Sequence, residues 1–138
     1  MHIEGVLKVG IAVKDMDKAV SCYSESLGLA PGEIVAYEPF GMRYCMFEVG
    51  ESSFLEVMEP TTPNSPIARF IESHGEGLQH LSLKVADIEE AIAELKGKGL
   101  RFAQEAPLRE HVGFGTAKFI FVQPQSTRGV LLQLVEME

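Results

Sequence analysis

Residues 8–20 read KVGIAVKDMDKAV and residues 80–92 read HLSLKVADIEEAI. Both describe a strand that runs into a helix, and they recur at an offset of 72 residues, which is the mark of an internal repeat. In the first copy Val9, Ile11 and Val13 alternate with Lys8, Gly10 and Ala12. Asp15 then stands where a helix cap belongs, Met16, Ala19, Val20 and Tyr23 fall at helical spacing, and Gly28 ends the run. In the second copy Leu81, Leu83 and Val85 share one strand face while His80, Ser82 and Lys84 share the other. Asp87 caps the following helix, Glu90 is placed to complete a capping box, and Ile88, Ala91, Ile92 and Leu95 form its buried stripe ahead of Gly97 and Gly99.

Working outward, FLEVMEP from Phe54 resembles LLQLVE from Leu131, with Glu56 and Gln133 in equivalent places at an offset of 77 residues. YCMFEVG (44–50) and AKFIFVQP (117–124) are the strands that precede them, so each half reads β-α-β-β-β. The halves are joined through SPIARFIESHG, itself a short helix. Ser65 sits at its cap, Pro66 in its first turn, Ile67, Phe70 and Ile71 on its buried side, and Gly75 past its end. The expected organisation is a single α+β domain over 1–138, with module 1 at about 5–60, the linker helix at about 65–75 and module 2 at about 77–138. Two tandem βαβββ modules of this kind are expected to form cupped mixed sheets around a central cleft. Each helix must bury the face that carries Val9, Ile11 and Val13 or its counterpart. That leaves Lys8, Glu56, His80 and Gln133 on the open, concave face, where the pseudo-twofold symmetry usual for duplicated modules would bring them together.

Composition limits the function classes. The chain has 138 residues, 46% of them hydrophobic, enough for one compact core. A formal net charge of −8 repels nucleic acid and anionic membrane surfaces. An anionic small molecule would need a local basic patch, for which Arg43, Arg69, Arg101, Arg109, Lys118 and Arg128 are the candidates. No apolar run reaches the ~18 residues of a membrane span and no secretion signal is recognisable, so the expected location is the cytoplasm. Cys22 and Cys45 lack metal-like spacing and are expected to be reduced, packed thiols.

These modules resemble the vicinal-oxygen-chelate superfamily, which includes glyoxalase I, extradiol dioxygenases, bleomycin-resistance proteins and methylmalonyl-CoA epimerase. NSPIARFIESHGEGLQHLSLKVADIEEAI, HVGFGTAKFIFVQP and QSTRGVLLQLVE are similar to stretches of the epimerase branch. The resemblance implies a divalent metal such as Co, Mn, Zn or Ni, a small-molecule substrate such as a CoA thioester, and a homodimer, with no nucleic-acid or membrane partner. The metal-binding epimerase pattern has histidine at the place of Lys8, glutamate or glutamine at Glu56, histidine at His80 and glutamate at Gln133. Metal-ligating candidates are therefore Glu56, His80 and Gln133. Gln79, where the family commonly has a second histidine, also departs, but its side chain is expected on the other face. His111 and Gly113 lie in a stretch that is glycine-rich in the family too and near its cleft.

Lys8 changes the chemistry, because an ammonium offers three donors and no lone pair. A divalent ion ~4 Å from it, at an effective dielectric of ~20, meets roughly 8 kcal/mol of repulsion. Deprotonating a lysine at pH 7 costs roughly 4.6 kcal/mol from a reference pKa of about 10.4. Metal binding is thus expected to be weak or absent, and the alternative is an ion pair of Lys8 with Glu56, with His80 and Gln133 hydrogen-bonded around it. Three readings of the function stand side by side. One is a methylmalonyl-CoA-epimerase-like isomerase, or a lyase of the glyoxalase type, that moves a proton alpha to a carbonyl or thioester. Another is a metal-free small-molecule-binding or resistance protein, and the third is a different reaction on the same scaffold. For proton transfer the catalytic candidates are Lys8, Glu56, Gln133 and Glu38, with Glu33 as the alternative in GEIVAYEPFGM and His80 as a substitute base.

Overall fold

The computed structural model describes residues 1–112 and 115–138; Gly113 lies outside the described residues. The chain is mixed α+β. It divides into two compact units, one formed by Lys8–Gln79 and the other by Met1–Leu7 together with His80–Glu138.

In the unit Lys8–Gln79 the strand order is β2-β3-β4-β1, with β1 spanning Ile3–Ala12, β2 Pro31–Tyr37, β3 Met42–Val49 and β4 Ser53–Pro60. β2 and β3, and β3 and β4, pair antiparallel. Residues Lys8–Ala12 of β1 run parallel to β4, in a register that sets Lys8 opposite Phe54 and Gly10 opposite Glu56. Between β1 and β2 lies α1, Met16–Ser21, whose capping residue Asp15 accepts a hydrogen bond from the Lys18 N–H at 3.1 Å. The helix passes into a π-helical turn at Cys22–Ser26 before Gly28 closes it at φ +73°, a conformation a side chain disfavours. Ile11, Val13, Met16, Ala19, Cys45, Phe47 and Val57 make the core beneath α1. α2, Pro66–His74, is capped by Ser65, whose Oγ accepts from the Ala68 N–H at 2.9 Å. Ile67 is buried there; Phe70 and Ile71 are only half-buried, and the Phe70 ring stacks on His74 instead.

The other unit repeats the plan. Its strand order is β5-β8-β7-β6, with β5 at Gly77–Val85, β6 at Leu108–Val112, β7 at Gly115–Val122 and β8 at Leu132–Met137. β5 runs parallel to β8, and β8–β7 and β7–β6 are antiparallel. α3, Ile88–Gly97, is capped by Asp87, whose carboxylate accepts from the Glu90 N–H at 3.0 Å. The Glu90 carboxylate lies 3.3 Å from the Met1 ammonium, so the capping-box residue has found a charged donor in place of a backbone amide. Val85, Ile88, Ala91, Ile92, Ile120, Val122 and Leu134 form the core under α3. Six of the seven positions match the first core, with Val13 matched by Val85, Met16 by Ile88, Ala19 by Ala91, Cys45 by Ile120, Phe47 by Val122 and Val57 by Leu134.

Among the basic-patch candidates, Arg43 binds Glu59 at 2.6 Å, Arg109 binds Glu138, and Lys118 lies within 4.0 Å of Glu136 and Glu138. Glu59 holds the Arg43 guanidinium charged by a direct bond and by its own charge, so these cations are already balanced by acids. No helix among the described residues is long and apolar enough to cross a membrane.

Both cysteines are free thiols, Cys22 exposed and Cys45 fully buried, and burial pushes the Cys45 thiol pKa up. A thiol reacts as its thiolate. An aromatic disulfide reagent at pH 8 is therefore expected to modify only Cys22 in the native protein and both cysteines in denaturant; the Cys22→Ser variant should be inert until unfolded.

Candidate active site

The strand face turned away from α1 carries Lys8 and Gly10 on β1, Glu56 and Met58 on β4, and Tyr44 and Met46 on β3, as the alternation and the register require. It was expected to be open, yet Lys8 is only 7% exposed and Glu56 only 4%. The large side chains of Tyr44, Met46 and Met58 are buried on the same face. Lys8 Nζ donates to Glu56 Oε1 at 2.6 Å. The register explains the reach. Lys8 sits one pleat before Gly10, and Gly10, directly opposite Glu56, has no side chain to stand between the ammonium and the carboxylate.

The equivalent face of the other unit repeats this row with different chemistry. Ser82 on β5 stands opposite Gln133 on β8, which stands opposite Phe121 on β7, just as Gly10, Glu56 and Met46 stand in the first unit. His80 takes the place of Lys8, one pleat before Ser82. Gln133 is 5% exposed and turns its amide toward the facing strand. Its Oε1 accepts a hydrogen bond from the Ser82 hydroxyl, which leaves the amide N–H2 as the donor end. His80, 6% exposed, meets Phe121 edge to face with ring centroids 5.6 Å apart. Ser82 is the member that reading by residue type passes over. Its signal lay in its place beside His80 and in its equivalence to Gly10, a position that carries a hydroxyl in one copy of the repeat and none in the other.

The other candidates lie outside these two buried rows. Glu38 opens a 3-10 turn, Glu38–Phe40, with its carbonyl accepting from the Gly41 N–H at 2.9 Å and its side chain exposed; Glu33 on β2 is exposed as well. His111 is exposed on β6, with Nδ1 3.2 Å from Thr116 Oγ1.

The donor set does not fit a divalent metal centre. The Glu56 carboxylate holds an ammonium, the Gln133 oxygen is taken by a hydroxyl, and among the described residues no three His, Cys, Asp or Glu side chains gather. A divalent ion on Glu56 would face the Lys8 charge at a few ångströms, at a cost of roughly 8 kcal/mol at ~4 Å and an effective dielectric of ~20.

What the arrangement offers is a buried +1/−1 pair with hydrogen-bonding capacity in the ammonium. Removing one member of such a pair strands the other charge, at about 3–5 kcal/mol, whereas replacing both with apolar groups costs far less. Glu56→Leu alone is expected to lower stability in urea denaturation by about that amount, and Lys8→Met with Glu56→Leu to recover most of it.

Known proteins place the chain in context. The sequence profile of the glyoxalase/bleomycin resistance protein/dioxygenase superfamily matches residues 7–121. The uncharacterized Bacillus subtilis protein YqjC is 32% identical over 128 residues, covering 93% of this chain and 89% of that protein. The human mitochondrial methylmalonyl-CoA epimerase is 31% identical over 127 residues, covering 91% of this chain and 70% of that one. A solved methylmalonyl-CoA epimerase in complex with methylmalonyl-CoA and NH4+ superposes with a TM-score of 0.91 at 28% identity, covering 99% of this chain and 96% of that one. With a profile match over most of its length and a repeat whose two halves fold alike, the chain belongs to the glyoxalase/bleomycin resistance protein/dioxygenase superfamily.

Proposed function

We propose that the protein catalyses proton transfer alpha to the carbonyl of an acyl thioester, acting on a CoA ester of the methylmalonyl kind. The observation that carries this reading is the likeness to methylmalonyl-CoA epimerases along nearly the whole chain, in sequence and in fold.

The reaction sets its own requirements. A base takes the alpha proton, the electron pair of the C–H bond moves into the C–C bond as the carbonyl π pair shifts to oxygen, and the enolate must be held until a proton returns to the opposite face. Something positive has to meet that oxygen, and an acid/base group has to stand on each side of the carbon. The Lys8 ammonium, with three donors, can serve Glu56 and a developing oxyanion together. The solved epimerase that carries methylmalonyl-CoA together with NH4+ supports an ammonium as company for this substrate. Gln133 is a donor and cannot act as a base. Proton transfer is assigned to the carboxylates of Glu56 and Glu38.

The alternative, a small-molecule-binding protein without turnover, draws on the same ion pair, since a salt bridge can also simply fill the space of a lost centre. Solvent exchange separates the two. In D2O the protein is expected to wash deuterium into the alpha position of methylmalonyl-CoA far above the buffer rate, read by NMR or mass spectrometry. Glu38→Gln, a change at an exposed side chain, should slow this at least about 100-fold without moving the melting temperature. No exchange above background would leave the binding reading in its place.

A further inference from the structure

We infer that Lys8 is a tethered monocation that stands in for the divalent ion implied by the family resemblance, so that the protein excludes that metal by its own charge balance and works without it. The catalytic side of this inference rests on the proton-transfer reading; the exclusion of metal does not.

Charge balance comes first. Glu56 brings −1 and Lys8 +1, so the pair is neutral where it is buried, and its partners are 2.6 Å apart. The counterpart of Glu56 in the second unit is Gln133, an amide with no charge to give. A divalent ion would add two positive charges to a buried place whose carboxylate is already neutralised. An apolar environment punishes such an imbalance heavily.

Geometry comes second. Lys8 is held by the β1–β4 register, and Gly10 opposite Glu56 keeps the way clear, so the ammonium reaches the carboxylate without leaving the strand's own face. Gln133 is held too. Its oxygen, the atom a metal would need, is engaged by Ser82 on the directly opposed strand. Two separate substitutions thus point the same way, one adding a positive charge and the other removing a negative one. An exchangeable ion has to be acquired from solution, whereas the charge of Lys8 comes with the chain.

The test reads metal, not turnover. The untagged protein, dialysed against Co2+, Mn2+, Zn2+ or Ni2+ and then against buffer, is expected to retain less than about 0.1 equivalent by elemental analysis. Its melting temperature should not rise with any of these ions at millimolar concentration, whereas tight binding would raise it by roughly 5 °C or more. The Lys8→His, Gln133→Glu variant, which changes both residues named above, is expected to retain about one equivalent and to melt higher in its presence. One equivalent held by the natural protein, or a metal-dependent rise in its melting temperature, would overturn the inference. A folded variant as free of metal as the natural protein would overturn the claim that Lys8 and Gln133 are what keep the ion out. Should the variant fail to fold, the two measurements on the natural protein decide alone. Absence of deuterium exchange together with absence of metal would remove the enolate role and leave the exclusion standing.

Discussion

Each half of the chain sets α1 or α3 against one face of its sheet, and the two-residue period of a strand then fixes what the other face must do. Under the helices the solution is apolar and nearly identical in both halves: Val13, Met16 and Val57 in one, Val85, Ile88 and Leu134 in the other. The opposite faces are also buried, but they carry Lys8, Glu56, His80, Ser82 and Gln133. Buried polar groups are tolerated only when paired. The pairs formed, an ammonium with a carboxylate and a hydroxyl with an amide, are what give each face its chemistry.

The repeat shows how one backbone row hosts different chemistry. Gly10, Glu56 and Met46 occupy the same register as Ser82, Gln133 and Phe121. In the first unit the missing side chain at Gly10 lets a long lysine cross to the acid. In the second, the hydroxyl at Ser82 donates to the amide, and His80 meets the edge of Phe121. The two rows differ at every one of these positions, and at the place of Gly10 the side chain of Ser82 adds the hydroxyl that meets the amide.

The helices, their caps at Asp15, Ser65 and Asp87, and the side of each core built by the first strand and its helix were legible because each depends on spacing within a dozen residues. The Lys8–Glu56 pair was legible as one of two alternatives, since charge and strand face are both sequence properties. The Ser82–Gln133 bond was not, because it depends on how β5 registers against β8 across about fifty intervening residues. That register is set by α3 and the strands between, not by any local pattern. The burial of the polar faces escaped for a similar reason: alternation says which side chains share a face and nothing about how deeply the face lies. Glu90 shows the same limit, its carboxylate lying beside the Met1 ammonium.

The membership of Met1–Leu7 in the unit built from His80–Glu138 has a consequence for biosynthesis. A chain emerges from the ribosome at about 5–20 residues per second, N-terminal end first. Lys8–Gln79 is contiguous and has all its partners once residue 79 is out. The seven residues ahead of it are made before it yet wait several seconds longer for the companions of their own unit, and their contacts with it are among the longest-range in the molecule. Until then Leu7, which is buried in the folded protein, is an apolar residue still exposed to water, on a strand whose other half is already paired.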